Sequence, residues 1–151
     1  LRTRASTLHI AQELVATLSA RALPIEPQQH DRAVAAISHL PYLNAVTVMD
    51  VVMGFDEEAA WTLAASGFRD ASRLAASDVT MLLDILKSNR AEVLNALDRA
   101  RLSSQETIEL IKREDWPALR AKLETVREKR VWWENSKRVP SDEWESISVD
   151  S

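Results

Sequence analysis

The chain has 151 residues, 46% of them hydrophobic and 28% charged, with a formal net charge of -4. These values fit one soluble globular domain of ordinary size and, with no basic face near the motifs below, exclude nucleic acid as the main partner. The absence of cysteine excludes disulfides and thiolate metal sites; no metal site is expected, no run approaches the roughly 18 apolar residues of a membrane span, and no secretory signal is visible, so a cytoplasmic home is expected.

Only 2 Gly and 5 Pro occur, so the chain is poor in turn formers and its fold is expected to be nearly all helical. Ser6 to Ala22 reads as an amphipathic helix with Leu8, Ala11, Leu14, Val15 and Leu18 on one side and Ser6 as its cap. Ala22-Leu23-Pro24-Ile25-Glu26-Pro27 breaks that helix and reads as a short extended piece. The next helix runs from about Gln28 to Val52. Ala35, His39, Tyr42, Val46 and Met49 form one stripe and Val34, Ile37, Pro41 and Asn44 a neighbouring one. Pro41 cannot donate to the carbonyl of Ile37, so a kink is expected beside Ser38 and His39. A freed carbonyl beside a His and a Ser is a place for a ligand, although a lone helical His is as readily a structural residue.

Gly54 closes this helix as a C-cap, and Asp56 caps a helix over 57–66 that buries Trp61 and Leu63. Gly67 marks a turn, after which Arg69, Asp70, Ser72 and Arg73 emerge close together, as a solvated loop or as a site. Asp78 caps a helix through Met81, Leu82, Ile85 and Leu86. Asn89 with Glu92, and Ser103 with Glu106, have the spacing of capping boxes opening two further helices. Asp115-Trp116-Pro117 starts a last helix through Leu119, Leu123 and Val126. The basic residues from Arg120 to Arg138 alternate with Glu124, Glu128 and Glu134, as a solvated face with i, i+4 pairs. Trp132 and Trp133 need packing partners, and 134–151 reads as a polar, mobile tail.

Two blocks in order carry a family resemblance. His30-Asp31-Arg32-Ala33-Val34-Ala35-Ala36-Ile37-Ser38-His39-Leu40-Pro41 resembles the signature that opens the C-terminal helical domain of prephenate and arogenate dehydrogenases. Gly67-Phe68-Arg69-Asp70-Ala71-Ser72-Arg73-Leu74-Ala75-Ala76-Ser77-Asp78 resembles a second segment of that family, and Asn89-Arg90-Ala91-Glu92-Val93-Leu94 is similar to a third. The resemblance covers about residues 8 to 130. It implies an all-α dimerisation domain like the C-terminal domain of 6-phosphogluconate dehydrogenase, over residues 30–133. Residues 1–29 would then be the remnant, last helix and last strand, of a preceding α/β nucleotide-binding domain, or a linker. No Gly-x-Gly-x-x-Gly pattern is present. With Leu1 in place of an initiator Met, the chain is read as a segment of a longer protein.

In that family the reaction is an oxidative decarboxylation with NAD or NADP, and the catalytic base, a His, lies in the nucleotide-binding domain. The resemblance therefore gives this chain no catalytic residue, no activity and no dinucleotide of its own. It implies a homodimer and a dicarboxylate substrate held by Arg73, with Arg69 adding positive potential and Ser38, His39 and Tyr42 lining the pocket. His30 and Asp31 take a structural or supporting role, and Asp70 orients an arginine or caps a loop. Tyr42 stands where many members have His, and Leu82 where many have Trp, so substrate preference does not transfer. A non-catalytic dimerisation or effector-binding module of the same ancestry is the alternative; only an enzyme pocket needs Arg73 and His39 to face one cleft.

Overall fold

The computed structural model of the chain describes residues 3–20, 22–55 and 58–136. Within them every regular element is helical. Two compact units divide between Leu97 and Asp98.

In the first unit, α1 spans Ala5–Thr17 with Arg4 at its N-cap, so Ser6 sits inside the first turn and caps nothing. The helix closes with Ser19 at a positive φ of 53°, while Ser19 N–H donates to Ala16 and Ala20 N–H to Val15. That pair of bonds is the Schellman closure, made here without the usual glycine. Residues 22–26 form neither helix nor strand, so the expected extended piece finds no strand to pair with among the described residues.

Pro27 opens the long helix in the favoured first position. Helical geometry continues through α2 (Pro27–Val34), a π-helical segment (Ala35–His39) and α3 (Leu40–Met53). Ahead of Pro41 the helix is irregular, in the π segment that holds Ser38 and His39. Without a proline N–H to close an α turn onto Ile37, the ladder widens ahead of it, and Leu40 N–H reaches back to the Ala35 carbonyl. The helix ends at Gly54, whose φ of -79° is right-handed rather than the left-handed C-cap that the glycine led us to expect. At 27 residues, with a mean hydropathy of 1.2 over its most apolar window, this helix is long and apolar enough to cross a membrane, against the sequence expectation.

Of the two stripes, Ala35, His39, Tyr42, Val46 and Met49 turn inward, and Ile37 on the other is 75% exposed. α3 packs against α5 (Ser66–Ser72) and the 3₁₀ turn Arg73–Ala76. Ala45 on α3 and Ala35 are 1% exposed, small side chains permitting close approach of backbones.

The residues before α4 (Glu58–Leu63), including Asp56, lie outside the described ones. Trp61 and Leu63 are not buried: Leu63 is largely exposed, and Trp61 is covered on one side by Phe68, edge-on at 6.2 Å. Gly67 lies inside α5 rather than in a turn. Ser77 Oγ donates to the Leu74 carbonyl at 2.8 Å, closing the 3₁₀ turn. Asp78 then caps α6 (Val79–Ser88) as expected, its Oδ1 accepting from Met81 N–H at 2.7 Å.

The second unit holds α7 (Arg90–Lys112) from Asp98 onward, and α8 (Trp116–Ser136). Ser103 and Glu106 open no helix, since α7 runs straight through them; Glu106 instead pairs with Lys122 of α8. α7 ends with Glu114 at φ 53°, in a second Schellman closure through Glu114 N–H to Ile111 and Asp115 N–H to Leu110. Asp115 then caps α8, accepting from Ala118 N–H at 3.1 Å. The expected i, i+4 pairs form at Arg120–Glu124 and Arg130–Glu134. Trp132 and Trp133 lie under Lys129 and Arg130 at 5.4 and 4.8 Å, cation–π contacts that leave both rings about half exposed or more. A hydrogen bond from Lys112 is the main cause that holds the Glu109 carboxyl below its ordinary range.

Candidate functional site

The π segment places Ser38 and His39 side by side but in opposite environments. Ser38 is exposed, whereas His39 is 8% exposed and is the only buried polar residue among those described. π segments carry an extra residue in the helical turn and occur often at functional sites. One turn on, Tyr42 is half-buried on the same stripe.

His39 is not isolated. Asn89 ends α6, and its carbonyl accepts from Val93 N–H in the first turn of α7. The capping-box expectation gave the Asn89 side chain to that helix. Instead Nδ2 donates to the Asp31 carbonyl at 2.8 Å and lies 3.5 Å from His39 Nδ1. Sequence reading missed this role because the bond spans 58 positions; only the polar residue between two helices hinted at it. Beside it, His30 Nδ1 and Asp31 Oδ1 are 3.1 Å apart, both half exposed.

Arg69 and Arg73 belong to α5 and the 3₁₀ turn, and both are exposed. Asp70 approaches Arg69 Nε at 3.8 Å, a loose ion pair in solvent that contributes little. Arg73 makes no ion pair or hydrogen bond among the described residues, so its planar fork is unspent. The fold thus brings the arginine-bearing segment against α3, the helix that carries Tyr42 and continues from Ser38 and His39. No hydrogen bond or ion pair joins Arg69 or Arg73 to Ser38, His39 or Tyr42 among the described residues. A cleft of about 320 Å³ lies between α3 and the 3₁₀ turn, lined by Val46, Met49, Asp50, Met53, Ala75 and Ala76. Among the described residues no cluster of three or more His, Cys, Asp or Glu is placed to hold a metal.

The family described as "Prephenate dehydrogenase, dimerization domain" matches residues 26–125. The chain belongs to this family. Among members of the dehydrogenase group, the cyclohexadienyl dehydrogenase of Zymomonas mobilis is 34% identical over 74 residues, covering 47% of this chain and 25% of that protein. The prephenate dehydrogenase of Bacillus subtilis is 32% identical over 91 residues, covering 58% of this chain and 24% of that protein. Among solved structures, Synechocystis arogenate dehydrogenase superposes with a TM-score of 0.79 at 27% identity, over 87% of this chain and 49% of that one. Prephenate dehydrogenase from Aquifex aeolicus, in complex with hydroxyphenyl propionate and NAD+, superposes with a TM-score of 0.79 at 26% identity, over 85% and 46%. The chain therefore spans about a quarter of the length of these two curated relatives and about half that of these two solved structures. As a prephenate dehydrogenase dimerization domain it is all-α, as the composition required.

Proposed function

We propose that the chain is the substrate-binding and dimerising part of an NAD- or NADP-dependent prephenate or arogenate dehydrogenase. Residues 30–133 would face substrate and the second copy, and residues 1–29 would lead in from a nucleotide-binding domain. The observation that carries this reading is the family match over residues 26–125, which contains both the His39 and the Arg73 blocks. Such an enzyme oxidatively decarboxylates its substrate to 4-hydroxyphenylpyruvate or tyrosine, and the nicotinamide, when bound, takes the hydride.

On this reading the dinucleotide belongs to another domain. Gly54 has a right-handed φ and Gly67 lies inside α5, so neither builds a phosphate-holding turn. What the chain contributes is recognition. Arg73 holds a substrate carboxylate by charge-assisted hydrogen bonds, Arg69 adds potential, and Ser38, His39 and Tyr42 supply polar contacts from the π segment and α3. We read Pro27–Met53 as the central helix of the domain, packed by α5 and the 3₁₀ turn, rather than a membrane span. The cellular setting that goes with this reading is the cytoplasm, without nucleic acid.

The test is NAD(P)H formation by the full-length protein with prephenate and with arogenate. Turnover of either supports the reading, and no turnover of either with both dinucleotides overturns it. Calorimetric titration of the 151-residue chain with NAD and NADP should be silent; micromolar binding would overturn the assignment of the dinucleotide to another domain.

A further inference from the structure

We propose that Asn89 is a positioning residue that fixes His39 in its Nε2–H form, so that the ring meets a substrate oxygen as a hydrogen-bond donor. The first half of this inference stands on the fold alone, and the second rests on the function proposed above.

The argument begins with a group that has no choice. The Asp31 backbone carbonyl can only accept, so the Asn89 side chain must turn its NH₂ toward it, and the 2.8 Å contact fixes which end of the amide is nitrogen. The same nitrogen lies 3.5 Å from His39 Nδ1. Its second hydrogen is the one available to that ring atom. A proton on Nδ1 would set two N–H groups against each other in a site that is 8% exposed, where an unfavourable polar contact is poorly screened. Nδ1 therefore accepts, and the proton of the neutral ring goes to Nε2. The 3.5 Å separation is long, so orientation comes from the Asp31 bond, and the His39 contact selects the proton's place.

The other edge of the ring is the usable one. His39 makes no other hydrogen bond among the described residues, and no buried side-chain nitrogen or oxygen there lacks a partner, so Nε2 must reach solvent. A neutral imidazole held this way presents one N–H outward, suited to a carboxylate, keto or hydroxyl oxygen. The device also ties α2 to the α6–α7 junction, since Asn89 serves both Asp31 and His39.

Long-range ¹H–¹⁵N spectra of the 151-residue chain distinguish a protonated Nε2 from a protonated Nδ1 directly. Histidines 9 and 30 are both exposed, so His9→Gln and His30→Gln, made singly, identify their own signals and leave the third set to His39. The wild-type spectrum should show Nδ1 unprotonated, and a protonated Nδ1 overturns the proposal without any variant that must fold. In Asn89→Leu the donor to Nδ1 is gone, so the proton should spread over both ring nitrogens; a ring that keeps Nε2–H alone there also overturns the proposal. In the full-length enzyme Asn89→Leu should lower kcat/KM for the cyclic substrate about tenfold or more while the dinucleotide KM stays put. A tautomer that moves while kcat/KM does not overturns the donor role. Absence of dehydrogenase activity in the wild type would instead overturn the proposed function, leaving the tautomer assignment to the spectra.

Discussion

Lys122 of α8 reaches across to α7, donating to the Glu106 carboxylate at 2.7 Å and to the Ser103 carbonyl at 3.0 Å. It is the more covered partner, at 22% against 64% for Glu106, so its ammonium has exchanged part of its water for these two acceptors. Lys122→Met keeps the stem and removes both bonds. It should destabilise the second unit by about 1 kcal/mol, between the worth of an exposed ion pair and of a hydrogen bond to a charged group. Urea denaturation checks this, with Glu106→Gln expected to cost less because the Ser103 bond survives.

Glu114 holds the left-handed position that closes α7, a conformation costly for a residue with a Cβ. Glu114→Gly should stabilise the chain by about 0.5 kcal/mol, after the greater freedom of glycine in the unfolded state is set against the relieved strain. The midpoint of thermal unfolding should rise, and a fall would mean that the Glu114 side chain has a role beyond its backbone.

Arg73 and Arg69 should separate kinetically in the full-length enzyme. A carboxylate is charged in both ground and transition states, so Arg73→Ala should raise KM for the cyclic substrate with kcat little changed. Arg73 is exposed here, which puts the loss near the lower end for charged hydrogen bonds, about 1.5 kcal/mol or roughly tenfold. Arg69→Ala should do less, since Arg69 is engaged only loosely by Asp70. Steady-state kinetics with saturating dinucleotide decide it; a KM unchanged in Arg73→Ala would end the assignment of that residue.

Within the second unit Ile108, Ile111, Leu123 and Val126 are all exposed, with Val126 at 61%. Apolar side chains left open along two helices, in a family described by dimerisation, lead us to expect a homodimer. Sedimentation at tens of micromolar should give the mass of two chains. Leu123→Glu with Val126→Glu should shift it toward one.

The helices themselves were legible because their apolar periodicity is local, and Asp78 and Asp115 cap where the sequence puts them. The misreadings share one cause. Ser103–Glu106 and Asn89–Glu92 have the spacing of capping boxes, but Glu106 and Asn89 spend their side chains on partners 16 and 58 positions away. Ser19 and Glu114 end helices in a geometry that usually announces itself with glycine, while Gly54 and Gly67, the residues that looked like punctuation, stay right-handed or helical. The candidate residues Arg69, Arg73 and His39 were legible only through two ordered motifs; the burial of His39 and the amide that turns toward its ring depend on contacts that no spacing rule encodes.

The π segment makes the long helix a counting device. One residue more than an α turn needs is accommodated between Ala35 and His39, and each residue in a helix advances the azimuth by about 100°. Removing a single residue from this stretch would leave a plausible, uninterrupted α-helix with nearly the same composition. It would also leave Leu40 to Met53 in nearly the same phase relative to Pro27–Val34, because the wide turn already absorbs that residue: Leu40 bonds back to Ala35 across five positions where an α turn spans four. A single-residue deletion inside this segment should therefore be tolerated far better than one between Leu40 and Ala45, where the missing turn of about 100° would carry Ala45 out of the packed seam.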